Sequence, residues 1–125
     1  MQKRHRLGSQ KRISQIHRQG QSAANGLLVV RLLPNDLDHN RYCFVVGKRV
    51  GKAVVRNKVK RRLRDAVRNA DTAPGWDTIF IARRGAGEAD FNRLRMATQN
   101  LMRRTPLGGP GDVSSQKPAH LDGTA

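Results

Sequence analysis

A basic stretch from Gly47 to Arg68 constrains this chain more than any other feature of its sequence. Apolar residues recur within it at helical spacing, which predicts an amphipathic helix over about 54–70 with a single buried stripe. The stripe consists of Val55, Val59, Leu63, Ala66, Val67 and Ala70. Ten lysine and arginine side chains and only one acid occupy the stretch. Projected down the helix axis, these cations cover nearly all of the remaining circumference.

Like charges repeat every four residues along this helix, from Arg56 to Arg68. That spacing destabilises an isolated helix, and a face that only meets solvent usually mixes both signs of charge. A polyanionic partner is therefore the better explanation, and the formal charge of +16 on the whole chain agrees with it. A membrane surface is disfavoured, because the apolar stripe is built from small Val and Ala rather than Trp, Phe or Leu.

The composition limits the size and compartment of the protein. A chain of 125 residues with 37% apolar content can form one core, so we expect one domain. Cys43 is the single cysteine, which excludes a disulfide framework, and its place between Tyr42 and Phe44 predicts a buried thiol. No stretch is typical of a signal peptide or of a membrane span, so the sequence predicts a cytoplasmic protein.

The residues before the basic helix predict one short helix. Ser9 is placed to cap its N-terminus, and Gly20 is placed to end it. Ile13 and Ile16, three residues apart, give it enough apolar surface to dock on the rest of the protein.

Two or three strands are predicted next. Residues 27–33 form an apolar run in which Leu28, Val30 and Leu32 share one face. Arg31 lies on the opposite face, which we therefore expect to be partly open to a charged ligand. Residues 42–46 form the following strand, and the link between the two is short enough for an antiparallel hairpin.

One strand and one helix are predicted after the basic helix. Residues 77–82 have an almost wholly apolar centre, as expected for a strand inside a sheet. Asp90 can cap the final helix, which has Phe91, Leu94 and Leu101 on its apolar side. The order of elements predicts an α+β domain with one sheet and helices packed on it.

Glycine and proline replace large apolar residues from Thr105 onward. Residues 105–125 are therefore expected to form a disordered tail, and residues 1–104 the single folded domain.

The glycines before the basic helix superficially resemble a nucleotide-binding loop. The spacing from Gly47 to Gly51 is one residue too short, and Ala53 stands where a Ser or Thr must reach magnesium. This type of loop is therefore rejected. Backbone amides at the start of the helix, beside Lys48 and Lys52, are still suited to holding an RNA phosphate.

The residues from Lys48 to Arg64 closely resemble the signature helix of the bacterial ribonuclease P protein subunit. The resemblance extends over about residues 4–104. It implies a fold similar to domain 2 of ribosomal protein S5, in the order αβββαβα, with an unusual left-handed crossover through the basic helix. It also implies a function, because this subunit joins a large catalytic RNA and the two together cut the 5′ leader from precursor tRNA.

The resemblance implies two sets of contact residues. The first set binds the catalytic RNA. The family motif covers Arg56, Asn57, Lys58, Lys60, Arg61 and Arg64, and the charge pattern adds Lys48, Lys52 and Arg68. The second lines a cleft for the leader between the first helix and the open face of the sheet, and it comprises Arg6, Arg12, Ile13, Ile16, His17 and Arg31.

This sequence departs from the family pattern at three positions. Lys58 stands where arginine is usual, which keeps the charge but removes a bidentate phosphate contact. Ile13 and His17 stand where aromatic residues are frequent, so we expect weaker stacking on leader bases.

As an enzyme acting alone the chain is poorly equipped. Its nine acids are scattered, and no Ser/His/Asp, Cys/His or multi-carboxylate pattern predicts a catalytic or metal site. His5 and His17 could be imagined as an acid and base pair, but nothing in the sequence fixes their distance. The resemblance therefore implies that the RNA supplies the catalytic groups and holds Mg²⁺, while the protein itself binds no cofactor.

The partners expected from this reading are the catalytic ribonuclease P RNA and precursor tRNA, with no membrane and no obligate protein partner. The alternative is a structural RNA-binding protein, such as a ribosomal protein or an RNA chaperone, and composition alone does not exclude it.

Overall fold

The computed structural model describes residues 3–108, which form seven helices and strands joined by short connections. In chain order these are α1 (Gln10–Gln19), β1 (Gln21–Ala24), β2 (Leu28–Pro34), β3 (Arg41–Val45), α2 (Ala53–Arg68), β4 (Trp76–Ala82) and α3 (Phe91–Arg103). Short 3₁₀ turns lie at Lys3–His5, Lys48–Val50, Arg84–Gly87 and Pro106–Gly108. The α+β class and the order αβββαβα are therefore as expected.

The four strands form one sheet in the order β1-β2-β4-β3. β4 pairs antiparallel with β2 and parallel with β3, so the expected hairpin between β2 and β3 is wrong. The physical reason lies in β4, which is buried along nearly its whole length and needs a neighbouring strand on both sides. β3 reaches its place beside β4 through α2, which is the crossover connection.

One face of the sheet forms the main core with α2 and α3. Leu28, Val30 and Leu32 point into this core, as their alternation predicts. Phe80 of β4 is fully buried there, and its ring stacks on Phe44 with centroids 5.9 Å apart. α2 contributes Val59, Leu63, Ala66 and Val67, which confirms its predicted stripe. Each such large side chain stabilises the fold by about 1.5–3 kcal/mol.

The opposite face of the sheet is covered in part by α1. Ile16 is fully buried against Ile79 and Leu7, while Ile13 and Cys43 are partly buried around them. The Ser9 side chain caps α1 by accepting a hydrogen bond from the Arg12 backbone, as predicted. α1 ends before Gly20, where no larger residue fits, because a Cβ there would lie 2.6 Å from the Ile16 carbonyl oxygen.

A buried carboxylate connects α1 to the sheet. Asp77 of β4 is fully buried and accepts hydrogen bonds from Arg12 Nε at 2.7 Å and from Asn35 Nδ2 at 2.9 Å. Arg41 of β3 donates from Nε and Nη2, at 2.8 and 2.6 Å. Burial by itself raises the pKa of Asp77, but the hydrogen bonds from Arg41, Asn35 and Arg12 outweigh it and hold the pKa below its usual range.

The expected domain boundary after Arg104 requires correction. Thr105 and Leu107 are buried, and the Leu107 carbonyl accepts a hydrogen bond from the Ala73 backbone at 2.9 Å. Leu107 enters the main core because a single apolar side chain can dock even where glycine and proline surround it. Residues 105–108 thus belong to the folded domain, and the rest of the predicted tail, 109–125, lies outside the described residues.

Replacing Asp77 with asparagine should lower the free energy of unfolding at neutral pH by about 3 kcal/mol, because two arginines lose their buried counter-charge. The pKa of folded Asp77 lies below that of the unfolded chain, about 4. The stabilisation is therefore complete above the unfolded pKa and is lost as the pH falls through the lower folded value. Urea unfolding of wild type and Asp77→Asn, from neutral pH into the acid range, measures this.

The exposed Asp71 provides the control, since Asp71→Asn should change stability little at any pH. If the difference between wild type and Asp77→Asn were the same in acid as at neutral pH, the charge of Asp77 would not be the source of its effect.

Ending the chain after Arg104 should destabilise it by about 2–3 kcal/mol, because it removes the buried Leu107. Ending it after Gly108 keeps Leu107 and should retain most of that stability. Thermal and urea unfolding of the two shortened proteins compare them directly. Equal losses in both would mean that Leu107 contributes nothing and that later residues matter instead.

Candidate nucleic-acid interface

The exposed side of α2 is a continuous cationic face. Lys52, Asn57, Lys58, Arg61, Arg64 and Arg68 are exposed, as is Lys48 in the turn before the helix, and Arg56 and Lys60 are partly buried. All nine residues predicted to bind RNA therefore lie on this helix or on the turn that leads into it. The buried stripe orients them, because it leaves the opposite side of the helix to solvent.

Some cations of α2 are engaged within the protein. Arg68 pairs with Asp65 at 2.6 Å, on an exposed part of the helix where such a pair is weak. Arg62, which was not among the predicted contacts, donates to the Ala89 carbonyl at 3.2 Å and ties α2 to the connection before α3. Arg56 has its Nε enclosed without a hydrogen-bond partner among the described residues.

The start of α2 is open to an anion. Its N-cap residue, Lys52, makes no side-chain capping hydrogen bond, so the backbone N–H groups of the first turn are left without that partner. Lys48 and Lys52 are exposed beside them. Gly51 makes this turn possible for two reasons. Its φ of 156° is one that residues with a side chain rarely adopt, and a Cβ there would lie 2.9 Å from a Val55 methyl group. This geometry agrees with the expected phosphate contact.

A groove runs between α2 and the residues that precede α1. The backbone N–H of Leu7 donates to the Tyr42 carbonyl at 2.8 Å, so this segment lies along the outer edge of β3. The groove holds about 270 Å³ and is lined by Arg6, Cys43, Phe44, Lys60 and Arg64, among others. It therefore brings Arg6, from the predicted leader set, beside two cations of α2.

The sheet face beside α1 is only partly covered, as expected for a cleft. Arg31 lies on this face, and its Nη1 donates to the His17 carbonyl at 3.3 Å. His17 is exposed and Ile13 is partly exposed. Val45, at the far end of β3, leaves 40% of its surface open.

Two residues predicted to line the leader cleft are engaged within the protein. Ile16 is fully buried beneath α1, where it packs on Ile79, so it cannot reach a ligand. Arg12 is held by Asp77, and its Nη1 and Nη2 donate to Gln15 and to the Pro34 carbonyl. A spacing of three residues in a helix shows that Ile13 and Ile16 share a side, but not which of them lies deeper.

The structure adds one cation, Arg84, that the sequence did not place in the site. The turn Arg84–Gly87 packs on the turn Lys48–Val50, and a Cβ at Gly87 would lie 2.3 Å from the Val50 carbonyl oxygen. Arg84 is exposed there, near the start of α2. Arg83 is also exposed, but its Nη1 donates to the Asn25 carbonyl at 3.1 Å, in the turn between β1 and β2. The signal was present in the sequence, since both strands are followed by basic residues. This signal can be interpreted only once β3 and β4 are known to be parallel, because the carboxyl ends of the two strands then lie side by side.

The remaining chemistry of the described residues is limited. Residues 3–108 contain no group of three or more His, Cys, Asp or Glu able to hold a metal ion. Cys43 is half-buried rather than fully buried, and burial raises the pKa of its thiol, which makes it a poor nucleophile. Across the same residues, the helices are too short or too polar to cross a bilayer.

Comparison with known proteins agrees with this architecture. A family model described as Ribonuclease P matches residues 1–106. The ribonuclease P protein component of Caldanaerobacter subterraneus subsp. tengcongensis is 36% identical over 82% of this chain and 90% of its own length. That of Roseiflexus castenholzii is 39% identical over 83% of this chain and 88% of its own. The solved structure of the RNase P protein from Thermotoga maritima superposes with a TM-score of 0.74, at 32% identity, over 80% of this chain and 96% of its own.

The family match covers every element from the segment before α1 to the end of α3, including the cationic helix. The fold of the solved relative is also the fold found here. This chain therefore belongs to the family of ribonuclease P protein components.

Proposed function

We propose that this subunit binds the catalytic RNA of ribonuclease P through the α2 face and the 5′ leader of precursor tRNA through the sheet cleft. Binding both RNAs assists endonucleolytic removal of the leader, which gives tRNA its mature 5′ end. The observation that carries the proposal is the cationic face of α2, fixed in place by its buried stripe. The alternative of a structural RNA-binding protein without a role in cleavage gains no support from the relatives, which are ribonuclease P proteins.

The spacing of charges on α2 suits an RNA backbone. Lys60, Arg64 and Arg68 recur every four residues, so they rise along the helix by about 6 Å each. A phosphate strand laid along this row relieves the repulsion between neighbouring cations, which the free protein must tolerate. The resulting affinity is electrostatic and largely independent of sequence.

We place the catalytic groups in the RNA, together with the Mg²⁺ ions. Four of the seven carboxylates in residues 3–108 have structural roles of their own. Asp77 is held by arginines, Asp90 caps α3, and Asp65 pairs with Arg68. Asp38 pairs with His39, whose hydrogen bond lowers the pKa of the Asp38 carboxyl. The protein contributes by neutralising phosphates, which lets RNA segments approach each other and favours Mg²⁺ binding to the RNA.

The leader runs over the open sheet face in this proposal. Arg31 and Arg6 supply charge at two sides of the face, and His17 and Ile13 form its wall on α1. Since neither wall residue is a large aromatic, recognition depends more on charge than on stacking. The proposed compartment is the cytoplasm, where bacterial precursor tRNA is made.

The test of this function is reconstitution. The purified protein should restore leader cleavage by a bacterial ribonuclease P RNA at a magnesium concentration at which the RNA alone is inactive. The triple variant Lys60→Ala, Arg61→Ala, Arg64→Ala should lose most of this effect. The slope of log affinity against log salt concentration should become shallower by about 2–3, because each of the three side chains is expected to contact one phosphate.

The matched control carries three alanines at Arg93, Arg95 and Arg103 of α3, which removes the same charge from another helix. It should change the salt dependence much less. An equal change in both variants would show that total charge, and not the α2 face, governs binding. A wild-type protein that binds the RNA without restoring cleavage would favour the structural alternative.

Replacing His17 with phenylalanine should raise affinity for precursor tRNA about five- to tenfold, because a phenyl ring offers a stacking surface to a leader base. Affinity for mature tRNA, which has no leader, should stay the same. Equilibrium binding of both tRNAs to the reconstituted enzyme measures the difference. Equal gains for the two RNAs, or no gain for either, would mean that position 17 does not contact the leader.

A further inference from the structure

A larger pocket lies at the C-terminal end of α2, next to the cationic face but on the opposite side of Arg64 from the groove described above. It holds about 770 Å³, within the range of small-ligand sites. Residues from three parts of the chain line it, including His5, His39, Tyr42, Arg64, Ala70 and Thr72. Neither the sequence pattern nor the proposed RNA contacts account for this pocket.

The polar wall of the pocket is fixed by Asn40. The Asn40 side-chain amide donates to the Ala73 carbonyl at 2.8 Å, and its oxygen accepts from the Trp76 backbone at 2.7 Å. The same amide donates to the Tyr42 hydroxyl oxygen at 3.2 Å, and the Thr72 side chain also hydrogen-bonds with that hydroxyl. Burial raises the pKa of Tyr42, so this hydroxyl stays protonated at physiological pH. These hydrogen bonds therefore hold the polar wall of the pocket in place without a bound ligand.

Two imidazole rings form the other side. His5 and His39 meet edge to face, with ring centroids 5.5 Å apart. His5 Nδ1 lies 3.0 Å from the Asn40 carbonyl oxygen, which can only accept, so Nδ1 carries the proton. The uncharged tautomer with its proton on Nδ1 presents Nε2 as a hydrogen-bond acceptor. Flat rings and a ring-nitrogen acceptor together match the faces and the edge of a nucleobase.

The charge at the pocket favours a nucleotide over an uncharged ligand. Arg64 and Arg68 are lining residues, and no carboxylate is among them. Arg68 is partly neutralised by Asp65, which makes Arg64 the stronger phosphate contact. An RNA strand that follows Lys60 and Arg64 along α2 arrives at the mouth of this pocket.

We propose that the pocket receives one unstacked nucleotide of the RNA bound to α2, with its base against His5 and His39 and its phosphate at Arg64. This inference rests on the proposed function and adds a base-binding subsite to it. Backbone contacts along α2 would then supply affinity, and the pocket would fix the register of the RNA on the helix.

The first experiment uses the full-length wild-type protein and adenosine 5′-monophosphate, followed by NMR of the histidine rings. The proposal expects saturable shifts of the His5 and His39 ring signals. Ribose 5-phosphate, added at the same ionic strength, should leave the ring signals nearly unchanged because it has no base. Equal shifts with both compounds would reduce the site to a phosphate contact and overturn the proposal, as would the absence of saturation with the nucleotide.

The second experiment tests RNA. His39→Ala should weaken binding to a ribonuclease P RNA about tenfold, the effect of one lost stack, while the salt dependence stays unchanged because no phosphate contact is lost. Ala70→Phe, which fills the pocket without touching the Asn40 hydrogen bonds, should do the same if His39→Ala proves unstable. Met96→Ala, an exposed change on α3, is the control and should bind normally.

The outcomes separate the two proposals. Wild-type affinity in both pocket variants, together with normal cleavage, would overturn the base-binding pocket and leave the proposed function intact. A wild-type protein that fails to bind the RNA or to restore cleavage would instead overturn the proposed function. A pocket variant that binds weakly with a flatter salt plot would show a lost phosphate contact, which also contradicts the base-binding assignment.

Discussion

The ion pairs of the buried Asp77 carboxylate are the interactions on which the rest of the structure depends. This carboxylate sits at the start of the central strand with no exposure to water, where an unpaired charge would be prohibitively unfavourable. Arg12 of α1 and Arg41 of β3 each form an ion pair with this carboxylate. These contacts position α1 on the sheet and hold β3 at its parallel place beside β4. The cleft exists because α1 is held at one end of the sheet face and leaves the other end open.

The protein carries a formal charge of +16, and its arginines include two groups with different roles. One group stabilises the fold through acceptors inside the protein: Arg12, Arg41, Arg62 and Arg104 donate to Asp77 or to backbone carbonyls. The other group lies along α2, where the buried Val59 and Leu63 offset the repulsion between neighbouring cations. An RNA partner would remove that repulsion, so the stability of α2 and the binding of RNA should be linked.

Arg64 occupies the point at which the separate parts of the interface meet. It lines the groove beside Arg6 and also the pocket beside His5 and His39. Tyr42 lies between the two, with its backbone paired to the segment before α1 and its hydroxyl fixed by Asn40. One helix face, one strand edge and the chain before α1 therefore build a continuous surface.

The sequence by itself determined the features that depend on near neighbours in the chain. The buried stripe of α2, the alternation in β2 and the caps at Ser9 and Asp90 follow from periodicity and local hydrogen bonding, and the resemblance of Lys48 to Arg64 identified the family. Tertiary structure alone decided the strand order, the depth of Ile16, the capture of Arg12 by Asp77 and the docking of Leu107. Each of these joins residues far apart in sequence, and local pattern carries no information about which distant segment will pair with which. The pocket at the end of α2 is also decided by tertiary structure, since His5, His39 and Ala70 come together only in the folded chain.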